Sequence, residues 1–159
     1  GGDPSISEPL LADYSERCCE HARGFPHMRE TLTQLRSGGL RLGIITNGWT
    51  RFQTRHINAL GLAELVDACF ISEAEQLRKP DARLFARAAA RIGTSLPDCL
   101  FVGDNPVADI LGAHGAGMLT AWIRRGLDWP ADADTNPGHT LHGLHEVVEL
   151  VEAYRGGRL

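Results

Sequence analysis

Apolar residues fall into two alternating patterns along the chain: short unbroken runs, and stripes that recur every third or fourth position. The runs predict strands. They are "LRLGIIT" (Leu40 to Thr46), "DACFIS" (Asp67 to Ser72), "CLFVG" (Cys99 to Gly103) and "MLTAWI" (Met118 to Ile123). The stripes between them predict helices. Met28, Leu32 and Leu35 outline one, with Pro26 suited to its first turn and Gly38 and Gly39 to its stop. Trp49, Phe52, Ile57 and Leu60 outline a second, which Gly61 ends. Asp81 is placed to cap a third, carried by Leu84, Phe85, Ala88 and Ile92. A fourth runs from about Pro106 to Ala113, and a last amphipathic helix aligns Leu144, Val147, Val148, Val151 and Tyr154. The turn-rich "RRGLDWPADADTNPG" before it reads as a long loop. Strand runs alternating with helical stripes predict an α/β fold of three layers, a mainly parallel sheet with helices on both faces. Upstream, "SISEPLLADYSERCCEHAR" reads as a further helix with Leu10, Leu11, Tyr14 and Cys18 on one face.

A parallel sheet draws attention to the residues just beyond its strands, because ligands of such sheets bind outside the carboxyl ends. Three of those places carry chemistry. Thr46, Asn47 and Gly48 follow the first run: a hydroxyl, an amide and a permissive backbone that opens a helix whose amide groups favour an anion. Lys79 stands at the helix start after the second run. Asp104 and Asp109 follow the third, one near the strand end and the other a turn further on. The two carboxylates suit Mg²⁺, a hard cation that takes oxygen ligands and keeps several waters, and the metal together with Lys79 would neutralise a bound phosphate. The set predicts a phosphoryl-transfer site.

Composition sharpens one residue and excludes several classes. Of sixteen cationic residues only Lys79 is a lysine. Arginine is a planar fork and lysine a compact point charge, so position 79 has a requirement of its own. The arginines are dispersed and the net charge is −4, which argues against a nucleic-acid surface. No run approaches the roughly 20 apolar residues of a membrane helix, so a cytoplasmic protein is expected. Cys18, Cys19, Cys69 and Cys99 show no C-x-x-C spacing, and the last two sit in apolar segments as buried reduced thiols do.

These residues resemble the haloacid dehalogenase (HAD) superfamily of aspartyl-phosphate hydrolases. "GIITNG" matches its second motif, "RKPDARLF" its lysine motif and "FVGDNPVADILGAHGAGMLTAWI" its acidic fourth motif, over about Gly24 to Ile123. The resemblance implies a Rossmann-like core and a Mg²⁺-dependent phosphate-ester hydrolase acting on a small phosphorylated metabolite. By it Thr46, Asn47 and Gly48 would hold the phosphate, with Thr46 and Lys79 as catalytic residues. Asp104 would bind Mg²⁺ and Asp109 would support the metal site. A dehalogenase fits less well, since those enzymes work without the metal that a G-D-x-x-x-x-D motif implies.

The family's first motif, a D-x-D after an apolar strand that supplies the nucleophile, has no counterpart upstream of Gly24. Residues 1–23 resemble the end of the family's helical cap, and residues 24–159 its core. The expectation is therefore a family member without its first-motif strand and most of its cap, inactive alone. Its sheet should have a slot between the strands ending at Thr46 and Gly103, to be filled by closure, by another segment, by self-association or by another chain. A non-catalytic phosphate- or partner-binding protein, or one half of a split enzyme, is the competing expectation.

Several signals have plainer readings. Asp132 to Asn136, "DADTN", contains a D-x-D but follows "LDWPA" and reads as a solvated turn. His139, His142 and His145 read as a surface cluster, since Gly143 interrupts them. "GAHGAG" ends a helix, where a dinucleotide fingerprint would open one. Trp49 and Phe52 read as core, and Asp104 alone would serve as a helix cap.

Overall fold

The computed structural model describes residues 22–157. The upstream helix, with Cys18 and Cys19, and nearly all of the cap segment lie outside them. The first stripe forms α1 (Met28–Ser37), which buries Thr31 and Leu35. It stops where the Gly38 and Gly39 amides turn back to the Gln34 and Arg36 carbonyls, with Gly39 at φ +82°. Strand β1 (Gly43–Thr46) follows, then α2 (Thr50–Ala59), β2 (Ala68–Ile71), the single turn α3 (Ser72–Glu75) and α4 (Ala82–Arg91). The strand starts later than Leu40. One row before it the Asp67 carboxylate takes the Leu42 N–H at 2.7 Å, and that side-chain bond marks the end of the ladder.

Strand β3 (Leu100–Gly103) leads into a six-residue π-helical segment, Pro106–Leu111, and the short α5 (Gly112–Gly115), where one continuous helix was expected. β4 (Leu119–Ile123), β5 (His139–Leu141) and α6 (Glu146–Arg155) complete the described chain. β5 was not foreseen. It has three residues and no apolar run, and it forms because Ala121 to Ile123 offer it a buried edge in register with His139 to Leu141. Leu144 precedes α6 and packs on its core from the preceding turn.

All pairings are parallel, as expected. Among the described residues they fall into two sheets, β1 with β2 and β3 with β4 and β5. Helices hold the sheets side by side on both faces. On one, α1 and α6 bring Leu35, Val147 and Leu150 against Ala121, Ile123 and Leu141, with Leu42, Leu100 and Val102 joining them. On the other, Phe85 and Ala89 of α4 meet Ala113 and Met118, and Ile45 and Phe101 pack on that cluster from the two sheets. The Phe85 and Phe101 rings meet edge to face at 5.1 Å. Burying a phenylalanine completely stabilises by roughly 1.5–3 kcal/mol, and Phe70 and Phe85 are both fully buried.

Burial is uneven across the strands. Thr120 to Ile123 of β4 are buried, whereas Ile44, Ile45, Leu100, Phe101 and Val102 are only half-buried. Between β1 and β3 lies a cavity of about 890 Å³, lined on one side by Gly43, Ile44 and Ile45 and on the other by Leu100, Phe101 and Val102. The two sheets do not close on each other.

Candidate active site

At the carboxyl end of β1 the chain turns through Asn47 and Gly48 into α2. Gly48 has φ +152°, and a Cβ there would lie 2.6 Å from the Gln53 amide nitrogen. Glycine lets that amide come close. The Thr46 hydroxyl donates to Gln53 Oε1 at 3.0 Å, and Gln53 Nε2 donates to the Asn47 carbonyl at 3.3 Å. Ser72, at the end of β2, accepts the Gly48 N–H at 3.0 Å, and Glu73 accepts the Thr50 N–H at 2.7 Å. The hydrogen bond from the Thr50 backbone holds the Glu73 carboxyl below its usual range.

Asn47 reaches across to Lys79. Its Oδ1 accepts the Lys79 N–H at 2.9 Å and its Nδ2 donates to the Lys79 carbonyl at 3.0 Å. One amide thus satisfies both backbone groups of the lysine. The Asn47 side chain is engaged as a strut to the Lys79 backbone. Lys79 Nζ donates to the Ile45 carbonyl at 2.9 Å, lies 2.6 Å from Asp109 Oδ1, and sits 5.5 Å from the centre of the Phe101 ring. The two side chains are 11% and 8% exposed, so solvent screens this pair little.

Asp109 is held from two sides. Its second oxygen accepts the Asn105 N–H at 3.1 Å. Its carboxylate lies directly beneath Gly103, where a Cβ would come within 2.5 Å of Asp109 Cβ. Asn105, and not Asp104, caps the π-helical segment, accepting from Val107 and Ala108 at 3.1 and 2.8 Å. Asp104 is exposed, and its carbonyl is anchored by Trp122 Nε1 at 3.0 Å. Its carboxylate makes no hydrogen bond or ion pair among the described residues. Asp104 and Asp109 both line the cavity with Lys79.

This donor set fits a hard divalent cation. Mg²⁺ is commonly held by one or two carboxylates and several waters, and Asp104 presents two oxygens to solvent beside the Lys79–Asp109 pair. Among the described residues no group of three or more His, Cys, Asp or Glu is gathered to hold a metal ion, so Asp104 would need water and phosphate oxygens to complete the coordination.

The remaining signals separate. His139 Nε2 lies 2.8 Å from the Tyr154 hydroxyl, and the His145 ring meets His27 edge-on at 6.0 Å. His139 and His145 therefore have separate surroundings. Asp132 and Asp134 are exposed in a turn. Trp49 is 62% exposed at the head of α2, which corrects its expected core position, while Phe52 is half-buried with its ring 4.4 Å from His56. Burial raises the thiol pKa of both Cys69 and Cys99, and both are free and half-buried. The positioning roles of Gln53, Ser72 and Glu73 escaped the sequence. Of the three, Gln53 left a signal, because it lies one turn into a helix that begins beside Thr46.

Residues 5–123 match the model of the haloacid dehalogenase-like hydrolase family. The chain belongs to that family. It is 33% identical over 152 residues to the glyceraldehyde 3-phosphate phosphatase of Methanopyrus kandleri, covering 94% of this chain and 65% of the relative. It is 36% identical over 129 residues to the phosphoserine phosphatase of Thermus thermophilus, covering 81% and 51%. Among solved structures it resembles the magnesium-bound HAD-hydrolase YfnB of Bacillus subtilis, with a TM-score of 0.80 and 25% identity over 90% of this chain and 62% of that one. It also resembles a 2-haloacid dehalogenase of Pseudomonas syringae, with a TM-score of 0.76 and 30% identity over 97% and 65%. The chain thus spans between half and two-thirds of the length of these relatives. Both the family and the Rossmann-like α/β core expected from the three motifs hold. No helix among the described residues is long and apolar enough to cross a membrane.

Proposed function

We propose that this chain carries the phosphate- and magnesium-binding part of a phosphate-ester hydrolase, with the aspartate that becomes phosphorylated lying outside the described residues. The observation that supports this reading is the buried Lys79–Asp109 pair at the strand ends, beside the Thr46 hydroxyl. A small phosphorylated metabolite in the cytoplasm is the proposed substrate, in line with the phosphatases among its relatives.

In this reading the Lys79 ammonium takes up charge that develops on the transferring phosphoryl group, and Asp109 fixes where that ammonium points. Thr46 exchanges its bond to Gln53 for one to a phosphate oxygen. Asp104 would hold Mg²⁺, which supplies charge neutralisation to the phosphate oxygens when bound. A carboxylate oxygen attacks phosphorus, the ester oxygen leaves, and water then cleaves the acyl phosphate to release phosphate.

The test is binding and turnover measured on the same preparation. Orthophosphate should bind in the presence of Mg²⁺, as read by calorimetry, and binding should disappear in Asp104→Asn and Lys79→Met. p-Nitrophenyl phosphate should not be hydrolysed by the 159-residue chain. Loss of the binding result sinks the phosphate-site reading. Turnover that vanishes in Asp104→Asn places the nucleophile within the chain, with Asp132 and Asp134 the first acids to replace.

A further inference from the structure

We infer that Trp122 is a positioning residue for Asp104, and that the loop of residues 124–138 is tied to the metal-binding corner through it. The inference rests on the reading of Asp104 as the magnesium ligand and concerns how this chain aims that carboxylate.

The peptide group between Asp104 and Asn105 is gripped at both ends. Its carbonyl accepts from Trp122 Nε1 at 3.0 Å, and its N–H donates to Asp109 Oδ2 at 3.1 Å. A trans peptide is planar, with C=O and N–H on opposite sides, so these two bonds fix the rotation of the plane and with it the direction in which Asp104 leaves the backbone. The carboxylate has no hold of its own. It is exposed, without a hydrogen bond or ion pair among the described residues. Gly103, just before it, has to lack a side chain to admit Asp109, and a glycine leaves the backbone free to turn. Groups that hold a metal ligand in place tune the metal site almost as strongly as the ligand does, and here the held part is the main chain of the ligand.

The fold puts the indole where it can do this. β4 runs beside β3 with Trp122 opposite Gly103. Ala121 and Ile123 join the α1 and α6 core, so alternation along the strand turns Trp122 to the other face, where it is 5% exposed. A buried indole N–H can only donate and needs an acceptor, and the Asp104 carbonyl is the one it uses. Trp129 covers the indole, with ring centres 5.4 Å apart. Its own Nε1 donates to the Thr135 carbonyl at 3.0 Å, which fixes Trp129 within its loop. The far end of that loop is tied back to β4, where the Gly138 N–H donates to the Thr120 hydroxyl at 3.3 Å. A shift of the loop therefore uncovers Trp122 and loosens the carbonyl of Asp104.

The experiment uses the 159-residue chain and Mn²⁺, another divalent ion held by oxygen ligands, with free Mn²⁺ counted by electron paramagnetic resonance. The parent should bind Mn²⁺ and Asp104→Asn should not. Trp122→Phe keeps a ring in place but removes the N–H, and it should raise the dissociation constant about three- to tenfold. Trp129→Ala uncovers Trp122 but spares the bond, and should raise it by less. Leu150→Val disturbs the α6 core, away from Asp104, and should leave it within about twofold. Unchanged binding by Trp122→Phe overturns the inference, as does an equal loss in Leu150→Val, which would make the effect a general one. A larger loss in Trp129→Ala than in Trp122→Phe gives the hold to ring packing and overturns the role of the hydrogen bond. If Trp122→Phe does not fold, the parent decides alone. By linkage, Mg²⁺ at about ten times its dissociation constant should slow exchange of the Trp122 indole N–H about tenfold in NMR spectra, and an unchanged rate overturns the inference. A parent that binds no Mn²⁺, or an Asp104→Asn that binds it equally, sinks the magnesium reading of Asp104 and the role of Trp122 with it. Binding that needs Asp104 but is indifferent to Trp122 sinks only the latter.

Discussion

Lys79 Nζ lies 2.6 Å from Asp109 Oδ1, across a chain separation of thirty residues, with both side chains largely out of water. Two elements from different sheets are joined at this point. Asp109 follows β3, and the same ammonium bonds the carbonyl of Ile45 in β1.

Removing one member of such a pair leaves a buried charge without its counter-ion, which costs about 3–5 kcal/mol. Lys79→Met and Asp109→Leu are each expected to destabilise by that order. The double variant should lose far less than the sum, because the pair's own desolvation is also removed. Urea unfolding of the four proteins measures the coupling, and additive losses would show that the pair contributes nothing as a pair.

Gly103 is the position that lets Asp109 take this place. A methyl group there would meet Asp109 Cβ at 2.5 Å, closer than real Cβ contacts, and the obstructing atom is the first of its side chain and cannot swing aside. Gly103→Ala should therefore displace the carboxylate and destabilise by about 1–3 kcal/mol, as overpacking does. Asp109→Asn would relieve none of that strain, so combining the two should not restore the loss measured for Gly103→Ala.

The elements that sequence reasoning found are those whose signal is local. The four apolar runs became strands because consecutive apolar residues suit an element covered by helices on both faces. Thr46, Lys79 and Asp104 stood out in the sequence because the first ends a strand, the second precedes a helix cap and the third directly follows a strand. What escaped depends on distance in sequence. β5 exists because β4 offers it an edge, and nothing in "HTL" says so. The use of Asn47 as a support for the Lys79 backbone requires two loops thirty-two residues apart to meet. Trp49 fits a helical stripe as well as any core residue, and only the position of α2 shows that it faces water.

Asp81 provides a pH test. Hydrogen bonds from the Arg83 side chain, then from its backbone N–H, pull the carboxyl from 3.8 down to about 2. A carboxyl depressed on folding stabilises fully above its unfolded value and loses that contribution as pH falls through its folded value. The difference in melting temperature between the parent and Asp81→Asn should thus be constant above about pH 5 and shrink between about pH 4 and 2. A difference that stays level to pH 2 would show that the Arg83 bonds leave stability unaffected. Asparagine still caps helices, which keeps the helix start itself out of the comparison.

Phe85 and Trp49 make opposite cases for aromatic residues at helical spacing. Phe85 is fully buried, edge-on to Phe101, where α4 covers both sheets. Truncation leaves a cavity that rigid neighbours cannot fill, and Phe85→Ala is expected to lose about 3–5 kcal/mol. Trp49 is 62% exposed and contributes its backbone carbonyl to the start of α2, where it accepts the Gln53 N–H at 2.9 Å. Trp49→Ala keeps that carbonyl and should change stability by no more than about 0.5 kcal/mol. Denaturant midpoints at equal slope decide the matter. A large loss at Trp49 would mean that its ring is covered in solution, and with Gly48 and Thr46 beside it the covering element would lie over the site itself.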